Sequence, residues 1–445
     1  MRKTILSILA ALPLLAFSQE ALTLDKCLSM AKENNKSLRA SEYKQEAFQY
    51  GRKSSKALFF PSVSLTGSVM YSNTTGSYSS GSGMLPVLGS DGKPSGQVAY
   101  FPGLNLDYEL GWIFNGGVKL EQPIYMGGKI QAGYKMSKLG YELAIQNRRL
   151  TESEVIVETS KAYANVVKAK EMVAVAKAYG ALLDELMRAV EIAKNRGMKS
   201  NNDVLKVKVK ANECELNLRK AENACRLAKM NLCHYIGKPL TEDFDVASKL
   251  PMAGKAEGTV SDIVNRPEFL MVEHKSELAK QKVNIARSDY LPQVGLVGQF
   301  GYSRGFDLSG QNLLDGWGFL VGVQVSIPLI DAGNKINKIK YAKAEYAQYE
   351  AEREDVNEKL RLDIARSFNN LDEAYLEHKL AKSSVDAAEE NLRSSKLQYE
   401  RGTETISDHL EAQAIWQQAK TTLIEAETNC FLCWIEYQKA TGALN

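Results

Sequence analysis

Proline is missing from two long stretches of this 445-residue chain, 124–238 and 329–445, although eleven prolines occur elsewhere. A helix interior tolerates proline badly, because the ring removes a donor and clashes with the preceding turn. Both stretches are therefore free to be helical throughout. Each breaks once, at N-R-G-M-K-S-N-N-D-V-L from Asn195 and at E-R-G-T-E-T-I-S-D-H-L from Glu400. Glycine there can take the positive φ that ends a helix. The expected element is a helix that runs out, turns and runs back, twice over.

Other shortages narrow the function. Histidine occurs four times (234, 274, 378 and 409) with no metal-ligand spacing, and no G-x-S-x-G or phosphate-binding glycine loop is present. His409 beside Asp408 lacks a plausible nucleophile. The chain reads as no enzyme, with no cofactor and no metal. The six cysteines (27, 214, 225, 233, 430 and 433) lie in helical patterns, and Cys430 and Cys433 fall well inside a helix. A redox pair needs a thiolate near a helix N-terminus, so these read as small apolar residues facing a helix partner. Disulfide pairing stays open. The formal charge is +3 and falls to +1 without Arg2 and Lys3, which gives no electrostatic reason for a nucleic-acid partner.

Arg2 and Lys3 open an apolar run from Ile5 to Phe17, with small residues at Ala16 and Ser18 before Gln19. This is the pattern of a secretory signal peptide over 1–18. It is too short to span a membrane, and Cys27 lacks the small residues that precede a lipid-anchored cysteine.

What is present is repetition. Arg196/Arg401, Gly197/Gly402, Asp203/Asp408 and Leu205/Leu410 are each separated by 205, as are Cys225/Cys430, Gly237/Gly442, Pro123/Pro328 and Trp112/Trp317. Upstream the offset becomes 231, at Pro61/Pro292, Leu65/Leu296 and Tyr71/Tyr302. The first copy then carries 231 − 205 = 26 extra residues, expected as a loop. The expected division is a first repeat over 19–240 and a second over 241–445. The first has strands near 61–73 and 104–123 and a hairpin over 129–236 with its tip at 195–203. The second has strands near 292–304 and 316–328 and a hairpin over 334–441 with its tip at 400–408.

A helix is expected over 24–58, ended by Pro61, after which the apolar period changes from 3.6 to 2. Val63, Leu65, Val69 and Tyr71 alternate with Ser62, Ser64, Thr66 and Ser68. Leu104, Leu106, Tyr108, Leu110, Trp112, Phe114, Val118 and Leu120 then share one parity. Copy two repeats this through Val294, Leu296, Phe300 and Tyr302, then Trp317, Phe319, Val321, Val323, Val325 and Ile327. Alternation alone suits a soluble sandwich. Export, aromatic-rich apolar faces and strands as long as the ~9–11 residues of a tilted membrane strand favour a membrane barrel. The serine- and glycine-rich run Ser72–Gly83 is expected as a flexible extracellular loop.

Four membrane strands cannot stand alone, because open edges leave backbone groups unpaired in hydrocarbon at several kcal/mol apiece. Closure must use further copies. A dimer supplies eight strands and a trimer twelve, and only the trimer leaves a water-filled lumen. Each long helix, ~67 residues or about 100 Å at 1.5 Å per residue, exceeds twice the ~40–45 Å of a bilayer. Charges recur along it, so these helices stand in water and pack side by side as coiled coil through residues such as Val155, Ala162, Val166, Leu183 and Val190. The fold class is an α+β membrane protein with a two-fold internal repeat of helix, strand, strand, long helix and helix.

This order, behind a signal peptide and with Arg-Gly turns followed by Asp203-Val204-Leu205 and Asp408-His409-Leu410, resembles the TolC-type outer-membrane efflux proteins. The resemblance covers nearly the whole mature chain. It implies a homotrimer with a twelve-stranded barrel in the outer membrane of a Gram-negative bacterium and a coiled-coil tunnel in the periplasm. It implies as partners a periplasmic adaptor (membrane fusion protein) and an inner-membrane pump of the RND or ABC type. The implied function is the passive exit channel of a tripartite efflux or type I secretion system. By position, Arg196, Gly197, Asp203, Leu205, Arg401, Gly402 and Leu410 would form the docking tips, and Tyr399, Glu404, Asp408 and Glu411 the entrance gate. Tyr399 and Asp203 match closing contacts, and Asp408 and Glu411, at i and i+3, would face the lumen together. Glu404 stands where some members carry a basic gate residue, so it would add charge there in place of a salt bridge. The rival readings are a periplasmic adaptor, which needs a lipoyl-like β domain and a single hairpin, and a non-efflux porin.

Overall fold

The computed structural model describes residues 21–247, 249–251, 254 and 263–444, so the signal peptide expected at 1–18 lies outside the described residues. In chain order the elements are α1 (Leu24–Asn34), α2 (Lys36–Ala57), β1 (Ser62–Ser79), β2 (Gly83–Leu88), β3 (Pro94–Phe101), β4 (Asn105–Met126), α3 (Lys129–Asn195) and α4 (Asn201–Ile236). A 3₁₀ turn at Ile263–Asn265 follows, then α5 (Pro267–Ser288), β5 (Gln293–Leu308), β6 (Gln311–Ser326), α6 (Asn334–Glu400) and α7 (Ile406–Ala440). The chain divides into two compact units, one over the described parts of 1–47, 142–275 and 350–445, the other over 48–141 and 276–349.

The sheet unit is built on a four-stranded antiparallel sheet in the order β1-β4-β5-β6. Its register puts like beside like. Val63 pairs with Leu120, Leu65 with Val118, Val118 with Phe300 and Phe300 with Phe319. Because successive side chains in a strand point to opposite faces, this register gathers the apolar parity of all four strands on one face. That face is bare: Leu65 is 84% and Phe319 82% exposed. Aromatic rings cluster at one level of it, with Tyr71–Trp112, Phe300–Trp317 and Tyr302–Trp317 centroids 5.2, 5.3 and 5.8 Å apart. Pairing at these distances adds to the sheet beyond simple area. Among the described residues, the outer edges of β1 and β6 have no partner strand.

Three sequence expectations need correction. The 26-residue insertion is not a loop: β2 and β3 form a separate two-stranded antiparallel ribbon, with Met84 opposite Tyr100 and Pro86 opposite Val98. The run Ser72–Gly83 is not a loop for most of its length either, since β1 continues to Ser79, pairing Thr74 with Leu110 and Ser79 with Asn105. Backbone pairing needs no apolar side chains, so a stretch of Ser, Thr and Gly can be strand while carrying no period-2 signal. The helix expected over 24–58 is two helices, broken at Asn35, whose backbone is extended (φ −67°, ψ 125°). The Asn35 Oδ1 accepts from the N–H groups of Ser37 (2.9 Å) and Leu38 (3.3 Å), starting α2, while its Nδ2 donates to Tyr235 O at 3.2 Å. A single asparagine thus caps a helix and fixes it to α4.

In the helical unit α3 is the spine. One core packs Cys27 of α1, Ala162, Tyr163 and Val166 of α3, and Leu232, Cys233 and Ile236 of α4. A second joins Val157 and Ala164 of α3 to Phe431 and Ile435 of α7. Cys27, Cys214, Cys233 and Cys430 are buried as small apolar residues, and all six cysteines are free thiols. Burial pushes the Cys27 thiol up to about 11, so it carries little of the reactive thiolate.

Arg266 is 3% exposed, and its guanidinium reaches Glu268 (3.0 Å), Asp363 (3.0 Å) and the Ala440 carbonyl (3.2 Å). It thereby ties α5 and α6 to the last carbonyls of α7, which have no partner within their own helix.

Candidate functional site at the hairpin turns

Both long hairpins are turned by the same chemistry. At the end of α3, Gly197 has φ 74°, its N–H bonds to Lys194 O (2.8 Å), and the Met198 N–H bonds to Ala193 O (2.9 Å). At the end of α6, Gly402 has φ 78°, with Gly402 N–H to Tyr399 O and Thr403 N–H to Gln398 O, both 3.0 Å. These are paired Schellman closures, which satisfy the orphan carbonyls of each helix end. Three residues further on each chain re-enters helix through a capping box. The Ser200 Oγ accepts from the Asp203 N–H (3.2 Å) while Asp203 Oδ2 accepts from the Ser200 N–H (3.0 Å). Thr405 and Asp408 repeat the exchange at 3.3 and 3.4 Å. S/T-x-x-D before an apolar run is a local capping signature.

The carboxylates of Asp203 and Asp408 thus hold helix starts, and the Ser200 hydrogen bonds keep the Asp203 carboxyl below its usual range. Asp408 and Glu411 remain exposed, as do Arg196, Gly197, Arg401 and Gly402. Leu205 of α4 and Leu410 and Glu411 of α7 line one groove, which the Lys206 ammonium bridges by donating to Ser407 Oγ at 2.8 Å. Ile406 and Leu410 pack with Leu183, Leu186, Val190 and Val207, so the two turns share an apolar core.

Glu404 does not project as a free charge. It is half-buried and accepts the Ser395 hydroxyl at 3.0 Å, leaving its Oε2 without a partner. Ser395 in turn lies 2.9 Å from His409 Nδ1, and Gln413 Nε2 lies 3.1 Å from His409 Nε2. Tyr399 stacks on the His409 ring, centroids 5.1 Å apart and planes at 7°. The Lys199 ammonium of the first turn sits 4.8 Å from the centre of the same Tyr399 ring, within cation–π range. Burial first, and the nearby Asp203 charge second, push the Tyr399 phenol up. Ser395, His409, Gln413 and Lys199 were not among the expected site residues. The signal that finds the first pair is symmetry about the turn: Ser395 and His409 are each seven residues from Gly402, and an antiparallel hairpin sets equidistant residues opposite one another. Although Ser395 meets an imidazole, it is buried and its proton is committed to Glu404, so it is no nucleophile.

The sequence pattern of outer membrane efflux proteins matches residues 27–238 and 261–443, which takes in both hairpins and all four strands of the sheet. The chain belongs to the outer membrane efflux protein family. Among relatives, it is 22% identical over 471 residues to the proteases secretion protein PrtF of Dickeya chrysanthemi, covering 100% of this chain and 93% of that protein. It is also 22% identical over 331 residues to the outer membrane efflux protein BepC of Brucella suis, covering 74% and 72%. Among solved structures, the fold matches the Campylobacter jejuni CmeC outer membrane channel with a TM-score of 0.79 at 17% identity, covering 94% of this chain and 85% of that one. The open-state MtrE outer membrane channel of Neisseria gonorrhoeae gives a TM-score of 0.73. In this efflux family protein the mixed helix-and-strand architecture is therefore that of an outer-membrane channel.

Proposed function

We propose that three copies of this chain form the passive outer-membrane exit channel of a tripartite efflux or type I secretion system. The observation that carries this reading is the bare apolar face running unbroken across β1, β4, β5 and β6, bounded by two unpaired edges. Such a sheet is stable in hydrocarbon only when its edges meet the edges of further copies. Twelve strands then enclose a water-filled lumen, and the hairpins of the three copies form the periplasmic tunnel. The partners are a periplasmic adaptor at the turns and an inner-membrane pump of RND or ABC type, which supplies the energy. The relatives, one an efflux protein and one a protease secretion protein, support an efflux and a secretion role alike. Division into two copies, 19–240 and 241–445, is supported by the matching 67-residue lengths of α3 and α6 and by their identical turn chemistry.

Arg196, Gly197, Asp203, Leu205, Arg401, Gly402 and Leu410 form the docking tips in this reading. Asp408 and Glu411 form stacked carboxylate rings at the entrance, closed by contacts around Tyr399. Glu404 supports that closure from inside the hairpin. Rings of like charge in a narrow lumen, closer than the ~8 Å Debye length, favour cations and bind multivalent ones. Planar-bilayer recording tests this. The wild-type channel should prefer cations and be blocked by a trivalent hexammine ion, and Asp408→Asn with Glu411→Gln, which keeps the capping acceptors, should weaken both properties. Identical selectivity and block in the two proteins would remove the carboxylates from the lumen. Absence of any channel would overturn the proposed function.

A further inference from the structure

Inside the second hairpin turn the polar groups form a directed chain. Ser395 has one hydroxyl proton, which goes to Glu404 Oε1, so its oxygen must accept from His409 Nδ1–H. Nε2 of His409 is then bare and accepts from the Gln413 amide. This order requires a neutral imidazole. A second proton, on Nε2, would face the donors of Gln413, and the amide must then turn to offer its Oε1. That oxygen belongs to a side chain only 2% exposed and has no hydrogen-bond partner. An orphaned buried acceptor is costly, and it is the atom that a protonated His409 needs.

The consequence reaches the other hairpin through Tyr399. Its ring is stacked on the imidazole and also lies under the Lys199 ammonium of the first turn. A neutral imidazole leaves the ring's π density to Lys199. An imidazolium competes for that density and repels the ammonium.

We propose that His409 is a proton-operated joint between the two hairpin turns: its protonation rotates the Gln413 amide and drives Lys199 from Tyr399, so that the turns part and the entrance loosens in acid. The last step rests on the channel reading above, whereas the joint itself does not. The charged groups facing the imidazole are Glu404, Glu400 and Lys396 from α6 and its turn and Glu185 from α3, with Lys199 and Asp203 of the first turn around Tyr399. Burial is the largest influence and holds the imidazole below its ordinary value; the carboxylates oppose burial and Lys396 reinforces it. A depressed basic group adds stability that is complete above the unfolded histidine value and is lost as pH falls through the folded one. The joint is therefore shut at neutral pH and yields on acidification.

Hydrogen–deuterium exchange on the full protein in detergent, corrected for the intrinsic pH dependence, tests the joint at about pH 7.5 and about pH 5. In the wild type, amides of both turns should exchange roughly tenfold faster in acid, the factor that losing about one cation–π or hydrogen-bond contact supplies. His409→Gln should abolish that response while β1 and β4 amides stay unchanged. In Lys199→Gln the first turn should lose its response and the second keep it, which decides the matter even where the histidine variant fails to fold. Equal exchange at both pH values in the wild type, an acid response surviving in His409→Gln, or an acid-responsive first turn in Lys199→Gln overturns the joint. Bilayer conductance separates this from the channel reading. A His409-dependent response in a protein that never conducts keeps the joint and removes the channel; a conducting protein without that response removes the joint alone. Conductance equal at both pH values, with the response present, overturns the coupling to the entrance.

Discussion

Gly197 and Gly402 sit at φ 74° and 78°, and an added Cβ at either position would meet no atom within 4 Å. A side chain there is opposed only by backbone strain, about 1–2 kcal/mol for a left-handed L-residue. Gly402→Ala is therefore expected to fold, to keep the sheet, and to raise amide exchange around the second turn by the corresponding factor. Unchanged exchange at Thr403 and Thr405 would show that the turn does not depend on this conformation. Arg266 makes a sharper prediction. Burial opposes the charge of Glu268, but hydrogen bonds from Arg266 outweigh it and hold the carboxyl below the usual range. Arg266→Met leaves that carboxylate half-enclosed and unpaired, a change of about 3–5 kcal/mol for a buried pair broken on one side. Since a depressed carboxyl adds stability that is complete above the unfolded glutamate value and is lost as pH falls through the folded one, wild-type thermal stability should drop on acidification below about pH 4. The variant should start lower and drop less. Parallel pH profiles would contradict the role. At this scale the turn glycines were readable locally, because the positive φ of each is signalled by one short stretch. The Ser395–His409–Gln413 chain was not, since its members meet only once the hairpin has closed.

Among the elements, side-chain period decided what sequence could reveal. Each strand segment with a strict apolar parity was legible, because one face of each is apolar from end to end. The second half of β1 was not, nor were β2 and β3. Ser, Thr and Gly leave the parity blank in β1, and Pro86 and Pro94 in the ribbon argue against strand. The β5–β6 connection is tighter than the sequence suggested: Ser309 (φ 52°) and Gly310 (φ 83°) make a two-residue turn, with both central residues at the positive φ that suits strand twist. The two faces of β1 make opposite predictions. Leu65→Arg places a charge on the bare apolar face, at a cost of about 2–4 kcal/mol near the bilayer midplane. Ser64→Arg, one residue away, points to the other face, where the proposed wet lumen would accept it. Heat-modifiable migration on gels should be lost, or much reduced, in the first and retained in the second. The reverse order would place the membrane on the wrong side of the sheet.

For the whole molecule, the unpaired edges of β1 and β6 are the decisive feature, because a four-stranded sheet with an apolar outer face has no stable existence in lipid by itself. Family membership places the chain in the outer membrane, and in the proposed assembly closure by further copies turns such a sheet into a channel. Two copies would give eight strands, whose interior side chains fill, and three copies twelve, which leaves room for solutes. The proposed lumen, entrance rings and adaptor site all depend on that number. Native mass measurement of the detergent-extracted full protein tests it most directly. Three chains per particle, stable to salt and dilution, is the expected result; a particle of one or two chains would contradict it.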